Sequence, residues 1–175
     1  MKGKRTSFAA NECPIARSLD TIGDWWSLLI IRDAFGGKRR FGEFERSLGL
    51  AKNILTNRLR KLVARGIMRT TPASDGSAYR EYVLTAKGKN LHPVIMALWQ
   101  WGEASLFSPG EMTGVLCDRQ NGEPIPRMEL RAKDGRVLKA GDTMIRRYPQ
   151  TLLRRRARSP DSQKRLASRP RATAR

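Results

Sequence analysis

Histidine and cysteine are almost absent from this 175-residue sequence, which holds one histidine, His92, and two cysteines, Cys13 and Cys117. Two distant thiols cannot make a disulfide framework, and with a single imidazole they do not form a zinc pattern. No metal and no cofactor is therefore expected. No apolar run reaches the roughly 18 residues that a membrane span needs. The basic N-terminus has no apolar stretch of the signal-peptide kind. The chain is therefore expected in a reducing cytoplasm, with no membrane partner. Also missing are a nucleophile–base pair, a paired acidic site and a glycine-rich phosphate loop, so no catalytic residue and no enzyme is expected. The aromatic residues sit mainly on helical core positions, which argues against a reader of single-stranded RNA.

Acidic residues are scarce as well. Lysine and arginine number 35 against 16 aspartates and glutamates, a formal net charge of +19. Folding does not require such an imbalance, and it favours polyanionic partners, nucleic acid first. The excess is uneven. Residues 1–107 carry 18 basic against 9 acidic side chains, residues 108–151 carry 8 against 6, and residues 152–175 carry 9 against 1. The last block, with Arg154, Arg155, Arg156 and Arg158, has too little apolar surface to offset its ordering entropy and is expected to be a disordered tail. Such a tail either adds nonspecific phosphate contacts or is merely solvated.

What is present is a run of helical patterns followed by a change of period. Pro14 starts a first helix through Ile15, Leu19 and Ile22, since proline suits the first helical position. Gly23-Asp24 interrupts it. Trp25 to Ile31 forms a dense apolar run that reads as a buried central helix. Phe41, Phe44 and Leu48 mark a third helix ended by Gly49. Ile54, Leu55, Leu59, Leu62 and Val63 mark a fourth ended by Gly66. Two short helices joined by a tight glycine-containing turn form a helix-turn-helix. Ala51 falls at the start of the second, where it is a poor cap. Residues 67–71 and 79–84 then read as two strands around the turn residues Pro72 to Ser77, a hairpin in the position of a wing. Tyr82 and Leu84 share one face of it, and Tyr79, Glu81 and Val83 the other. Thr85 caps a long helix through Leu91, Val94, Ile95, Leu98 and Trp101, with Pro93 as a source of a kink. Beyond it, short apolar runs around Asn121-Gly122 and Asp134-Gly135 read as a small β-rich appendage. The fold expected is mainly α with a β-hairpin wing, an α+β winged helix-turn-helix. Its parts are an N-terminal arm (1–12), the winged domain (13–107), the appendage (108–151) and the tail (152–175).

The second helix of the motif carries the chemistry. With Leu55, Leu59 and Leu62 turned to the core, its other side presents Lys52, Asn53, Thr56, Asn57, Arg60 and Lys61. Asparagine pairs with adenine, and arginine and lysine with guanine, in the major groove of duplex DNA. Lys52, Asn53, Thr56 and Asn57 are expected near bases and Arg60 and Lys61 nearer phosphates. A solvated polar face is the plain alternative. No acidic residue lies between Ala51 and Arg65, however, and basic residues flank the helix on both sides: Lys38, Arg39 and Arg40 before it, Arg69 and Arg80 on the hairpin.

Several anchors in order resemble the HxlR family of bacterial winged helix regulators. They are Cys13-Pro14-Ile15, Asp24-Trp25-Trp26, Arg40-Phe41, Leu55-x-x-Arg58-Leu59-x-x-Leu62, Tyr82-x-Leu84-Thr85-x-x-Gly88 and Trp101-Gly102. The resemblance spans Cys13 to Glu103. It implies a transcription regulator acting as a homodimer, joined by the first and last helices and bound to a two-fold symmetric DNA operator. Ile15, Leu19, Leu91, Ile95, Leu98 and Trp101 are the interface residues so implied. Ala51 departs from the capping serine common in the family, and the appendage inherits nothing from it.

Two readings stand for Cys13. A thiol at a helix N-terminus among basic residues favours its thiolate and can sense oxidants or electrophiles, as some members of the resembled family do at the matching position. The other reading is a small buried residue. Cys117 reads as an ordinary buried cysteine. Trp25, Trp26, Trp99 and Trp101 either line an effector cavity or pack the core and dimer. His92 has no assignable role.

Overall fold

The computed structural model describes residues 7–112 and 114–146. The arginine-rich tail expected from residue 152, the first half of the N-terminal arm and the end of the appendage lie outside the described residues. One compact unit runs to Arg127, and a second begins at Met128.

In the first unit, α1 (Pro14–Ile22) follows an extended Cys13 and has proline at its start. α2 (Trp25–Phe35) is capped by Asp24, whose Oδ1 accepts from the Ser27 backbone N–H at 3.0 Å. α3 (Phe41–Leu48) begins where the Glu43 carboxylate accepts from the backbone N–H groups of Arg39 and Arg40, at 2.7 and 2.8 Å. It ends at Gly49, which takes a left-handed φ of 61° and so turns the chain without a Cβ penalty. α4 (Lys52–Ala64) follows at once. β1 (Met68–Pro72) and β2 (Arg80–Leu84) pair antiparallel, with Met68 opposite Leu84 and Pro72 opposite Arg80.

α2 is the hub. It packs against α1, α3, α4, β2 and the last helix. Ile30 and Ile31 of α2, Phe44 of α3, and Leu55, Leu59 and Leu62 of α4 are fully buried in one core with Ile67 and Met68. These residues recur every three to four positions, so each helix turns one apolar stripe inward. Ile54, read from its spacing as core, stands on the surface instead.

The long helix expected after Thr85 is two helices, α5 (Ala86–Lys89) and α6 (His92–Leu106). Pro93 is the reason. It lacks an N–H, and its ring would collide with the Lys89 carbonyl in a continuous helix, so it sits in the first turn of a new one. Thr85 does cap α5: its Oγ1 accepts from the Gly88 N–H at 3.1 Å and donates to the Gly66 carbonyl at 2.6 Å. Gly88 is obligatory here, because a Cβ would lie 2.2 Å from the Ile67 carbonyl oxygen. The Thr85-x-x-Gly88 pair therefore clamps the helix start onto the strand start.

After α6 the chain folds back on it within the same unit. Arg127 Nη2 donates to the Gln100 carbonyl at 2.9 Å, and Gln100 Nε2 donates to the Pro126 carbonyl at 3.2 Å. The two glycine turns expected there form, with Gly122 and Gly135 at φ 74° and 86°. Strand structure around them is limited, among the described residues, to the single bridges Cys117–Pro124 and Arg131–Val137. Runs of apolar residues this short do not bury enough to extend a ladder. The described part of the second unit adds one 3-10 turn at Ala140–Asp142.

Ala51 offers no side-chain acceptor to α4; the Ile54 N–H donates to the Ala51 carbonyl at 3.0 Å and also to Asn53 Oδ1 at 2.8 Å. Because Ala51 already has the extended backbone of a cap, at φ −60° and ψ 138°, Ala51→Ser is expected to raise stability by about 0.5–1 kcal/mol in urea denaturation.

Candidate nucleic-acid interface

α3 and α4 meet across Gly49 and Leu50, and Leu50 is itself buried. The core thus holds the turn of the helix-turn-helix as well as both helices. With Leu55, Leu59 and Leu62 inside, the opposite side of α4 faces out. Lys52, Asn53, Thr56, Arg60 and Lys61 are exposed, and Asn57 is half-buried. Arg60 Nη2 reaches Asn57 Oδ1 at 3.4 Å. All six predicted residues therefore stand on one polar helix surface, joined at its edge by Ile54, whose alkyl group is of the kind that meets thymine methyls. Position in the apolar stripe hid Ile54 from sequence reasoning.

Arg58, also on α4, does a different job. Its Nη1 lies 3.2 Å from Asp24 Oδ2, and both are half-buried. Asp24 simultaneously caps α2 and accepts from Ser27 Oγ at 2.6 Å. One carboxylate thus fixes the start of α2 and the rotation of α4 about its axis.

The flanking basic residues divide into two groups. Lys38 sits 3.6 Å from Asp33, and Arg39 sits 3.7 Å from Glu81. Arg40 donates to Asp75 and lies 3.9 Å from Glu81. These three are engaged with acids of their own chain. Lys52, Arg60, Lys61, Arg69 and Arg80 have no acidic partner among the described residues. Arg80 is steadied by Thr70, to whose Oγ1 it donates at 3.1 Å. The cations left free are those of the helix surface and of the wing.

Glu81 is a buried carboxylate, 4% exposed, on the hairpin face that sequence reasoning assigned to Tyr79 and Val83. Its Oε1 accepts from both the backbone N–H and the hydroxyl of Ser74, at 3.1 and 2.9 Å. Together with the Tyr82 N–H donating to the Arg39 carbonyl at 2.8 Å, it ties the wing to the chain before α3. The two Ser74 bonds, then Arg39 and Arg40, hold the Glu81 carboxyl below its ordinary value. The Arg40 hydrogen bond holds Asp75 well below its own, and the Arg40 and Arg39 backbone N–H groups lower Glu43.

Cys13 is exposed at the head of α1, which overturns the buried alternative for it within the protomer. Cys117 is half-buried and its thiol points to the Val115 carbonyl at 3.7 Å. Of the residues assigned to a subunit interface, Ile15 (70%), Leu19, Leu98 and Trp101 (59%) are exposed. Ile95 is 7% exposed and Leu91 half-buried, so both belong to the protomer's own packing. Trp25 (74%), one of the tryptophans offered for core or dimer packing, and Val94 extend the exposed apolar set. Trp26 and Trp25 meet edge to face, with centroids 6.3 Å apart. His92 packs edge-on against Phe35 at 5.0 Å.

The family model described as an HxlR-like helix-turn-helix matches residues 21–108, half of the sequence. The chain belongs to the HxlR-like family. An uncharacterized HTH-type transcriptional regulator of Mycobacterium tuberculosis is 42% identical over 95 residues, covering 54% of this chain and 60% of that relative. The match thus spans less than two thirds of the mycobacterial protein. YybR of Bacillus subtilis, another uncharacterized HTH-type transcriptional regulator, is 33% identical over 124 residues, covering 69% of this chain and 99% of that one. Among solved structures, PA1607, a candidate transcription factor, superposes with a TM-score of 0.78 at 53% identity, over 82% of this chain and all of that one. The redox regulator HypR in its oxidized form gives 0.50 at 33% identity, over 55% of this chain and all of that one. The HxlR-like relatives are transcriptional regulators built on a helix-turn-helix and are not enzymes. Among the described residues of this HxlR-like chain, no helix is long and apolar enough to cross a membrane. No group of three or more metal-ligating side chains occurs among them either.

The lowered carboxyls set the acid response. In the range between its folded and unfolded pKa, each binds fewer protons when folded, so stability rises with pH there. The contribution of Glu81 is complete above the ordinary carboxylate range, near 4.5, and is lost as pH falls through the folded value. Melting followed by circular dichroism should therefore hold steady from neutral pH to about 5 and fall steeply below about 4. Glu81→Gln should melt lower than the parent chain at pH 7 and converge with it in acid.

Proposed function

We propose that this chain is a sequence-specific regulator that reads duplex DNA with the outward side of α4. The observation that supports it is the surface of Lys52, Asn53, Thr56, Asn57, Arg60 and Lys61, free of acidic side chains and held rigidly by the leucines behind it. Asn53, Thr56 and Asn57 read base edges, Lys52 lies beside them, and Arg60 and Lys61 grip phosphates. Arg69 and Arg80 on the wing add backbone contacts. Arg39 and Arg40 position the wing through Glu81 and Asp75, Lys38 is tied to Asp33 of α2, and the three add positive field near the same phosphates. The working unit is a homodimer. Ile15 and Leu19 of α1, Trp25 of α2, and Leu98 and Trp101 of α6 are exposed apolar side chains, and pairing two copies over them buries them. Such a dimer presents two α4 helices to a two-fold symmetric operator. Selection of bound duplexes from a random pool should return a palindrome with half-sites about one helical turn apart. Asn53→Ala should relax preference at particular base pairs by about 1–3 kcal/mol, and Arg60→Ala should weaken all sequences alike. Retention of full operator affinity by both variants would refute the α4 assignment.

A second reading concerns regulation. Cys13 is exposed and lies at the N-terminus of α1, next to Ile15 of the exposed apolar set, and a redox regulator is among the structural relatives. Oxidation of Cys13 adds a polar or bulky group at the subunit contact and alters operator affinity. Peroxide treatment should change DNA binding of the parent chain and leave Cys13→Ser unaffected. An equal response in the two proteins would remove the thiol from the mechanism.

A further inference from the structure

A cavity of about 650 Å³ opens between α2, α6 and the segment that follows α6. That volume suits a small organic molecule. Its walls are apolar and aromatic, with Phe35, Ile95, Met96, Trp99 and Phe107 among them. Trp25, Trp26 and Trp101 are not, so of the four tryptophans only Trp99 lines it. Of the exposed residues proposed for the subunit contact, only Leu98 lines the cavity.

Three lining residues carry polar side chains: Arg32, His92 and Glu103. The Arg32 guanidinium is already compensated, since its Nε and Nη2 both donate to Asp33 Oδ1, at 3.0 and 2.8 Å. His92 presents its ring edge to Phe35. Glu103 is different. It is half-buried and has no cation within ion-pairing distance among the described residues. α6 ends three residues later at Leu106, with no basic residue in its last turn. The negative end of the helix dipole therefore adds to the carboxylate instead of cancelling it. In a chain of net charge +19, this is an apolar recess that holds a carboxylate with no ion pair among the described residues.

We infer that this cavity is a binding site for a lipophilic organic cation, with the apolar body against Met96, Trp99 and Phe107 and the positive centre facing Glu103. Aromatic faces attract such cations independently of the carboxylate. Neither the cavity nor its charge depends on how α4 reads DNA.

The test uses an isosteric pair of probes, tetraphenylphosphonium and tetraphenylborate, which share a shape and differ in sign. Equilibrium dialysis with the full chain, without DNA and at about 0.3 M salt, screens the general positive charge of the protein. The quantity read is the ratio of the two affinities. Glu103→Gln should shift it about tenfold away from the cation, and Glu103→Lys should shift it further in the same direction. Helix content by circular dichroism checks both variants, and a graded, sign-dependent shift cannot arise from unfolding. A ratio that neither substitution moves, or no binding of tetraphenylphosphonium at millimolar concentration, would overturn the site.

Discussion

The burial of Leu55, Leu59 and Leu62 against Ile30, Ile31 and Phe44 is the constraint on which the rest of the molecule depends. Three leucines on one side of a 13-residue helix decide which side is left for solvent. They make α4 a fixed rod rather than a frayed segment. The Asp24–Arg58 pair adds a directional element to this nondirectional packing. It opposes rotation of α4 relative to α2, and rotation would carry Asn53 and Asn57 away from their common surface. Half-buried ion pairs contribute modestly to stability. Their value here lies in orientation.

The shortage of acidic residues acquires a spatial meaning in the structure. Within the winged domain, Asp20, Asp24, Asp33, Asp75 and Glu81 all pair with basic side chains of the same chain. Glu43 caps α3 instead. Asp24 and Glu43 stand at helix starts, Asp20 and Asp33 near helix ends, and Asp75 and Glu81 on the hairpin, where they join elements together. Almost none is left to compensate Lys52, Arg60, Lys61, Arg69 and Arg80. The positive surface is therefore a result of where the acids are used, as much as of how many bases there are. Glu45 and Glu103 have no ion pair among the described residues, and of the two Glu103 lies within the apolar wall of a cavity.

Much of this was legible in the sequence, because it rests on local rules. The four helices around the turn, the hairpin and the outward polar set of α4 follow from apolar spacing and from glycine and proline positions. Proline at 93 announced a discontinuity, though its effect was a full break rather than a kink. Other features were hidden. Ile54 sits in the right stretch for the core but at the wrong angle, and only packing shows this. Glu81 looks like a solvent residue of a two-stranded wing, yet Ser74 and the adjacent Arg39 and Arg40 converge on it from two separate stretches of chain. Ile95 and Leu98 share one helical stripe, yet one is inside the protomer and the other outside.

The sequence by itself determined the periodic elements, their order and the chemical character of each face, since those depend on residues within a few positions of one another. Tertiary structure alone decided which charges are free and which are paired, which apolar residues remain uncovered and where a cavity lies. The physical reason is that ion pairing, burial and enclosed volume are set by side chains distant along the chain, whose meeting no local pattern records.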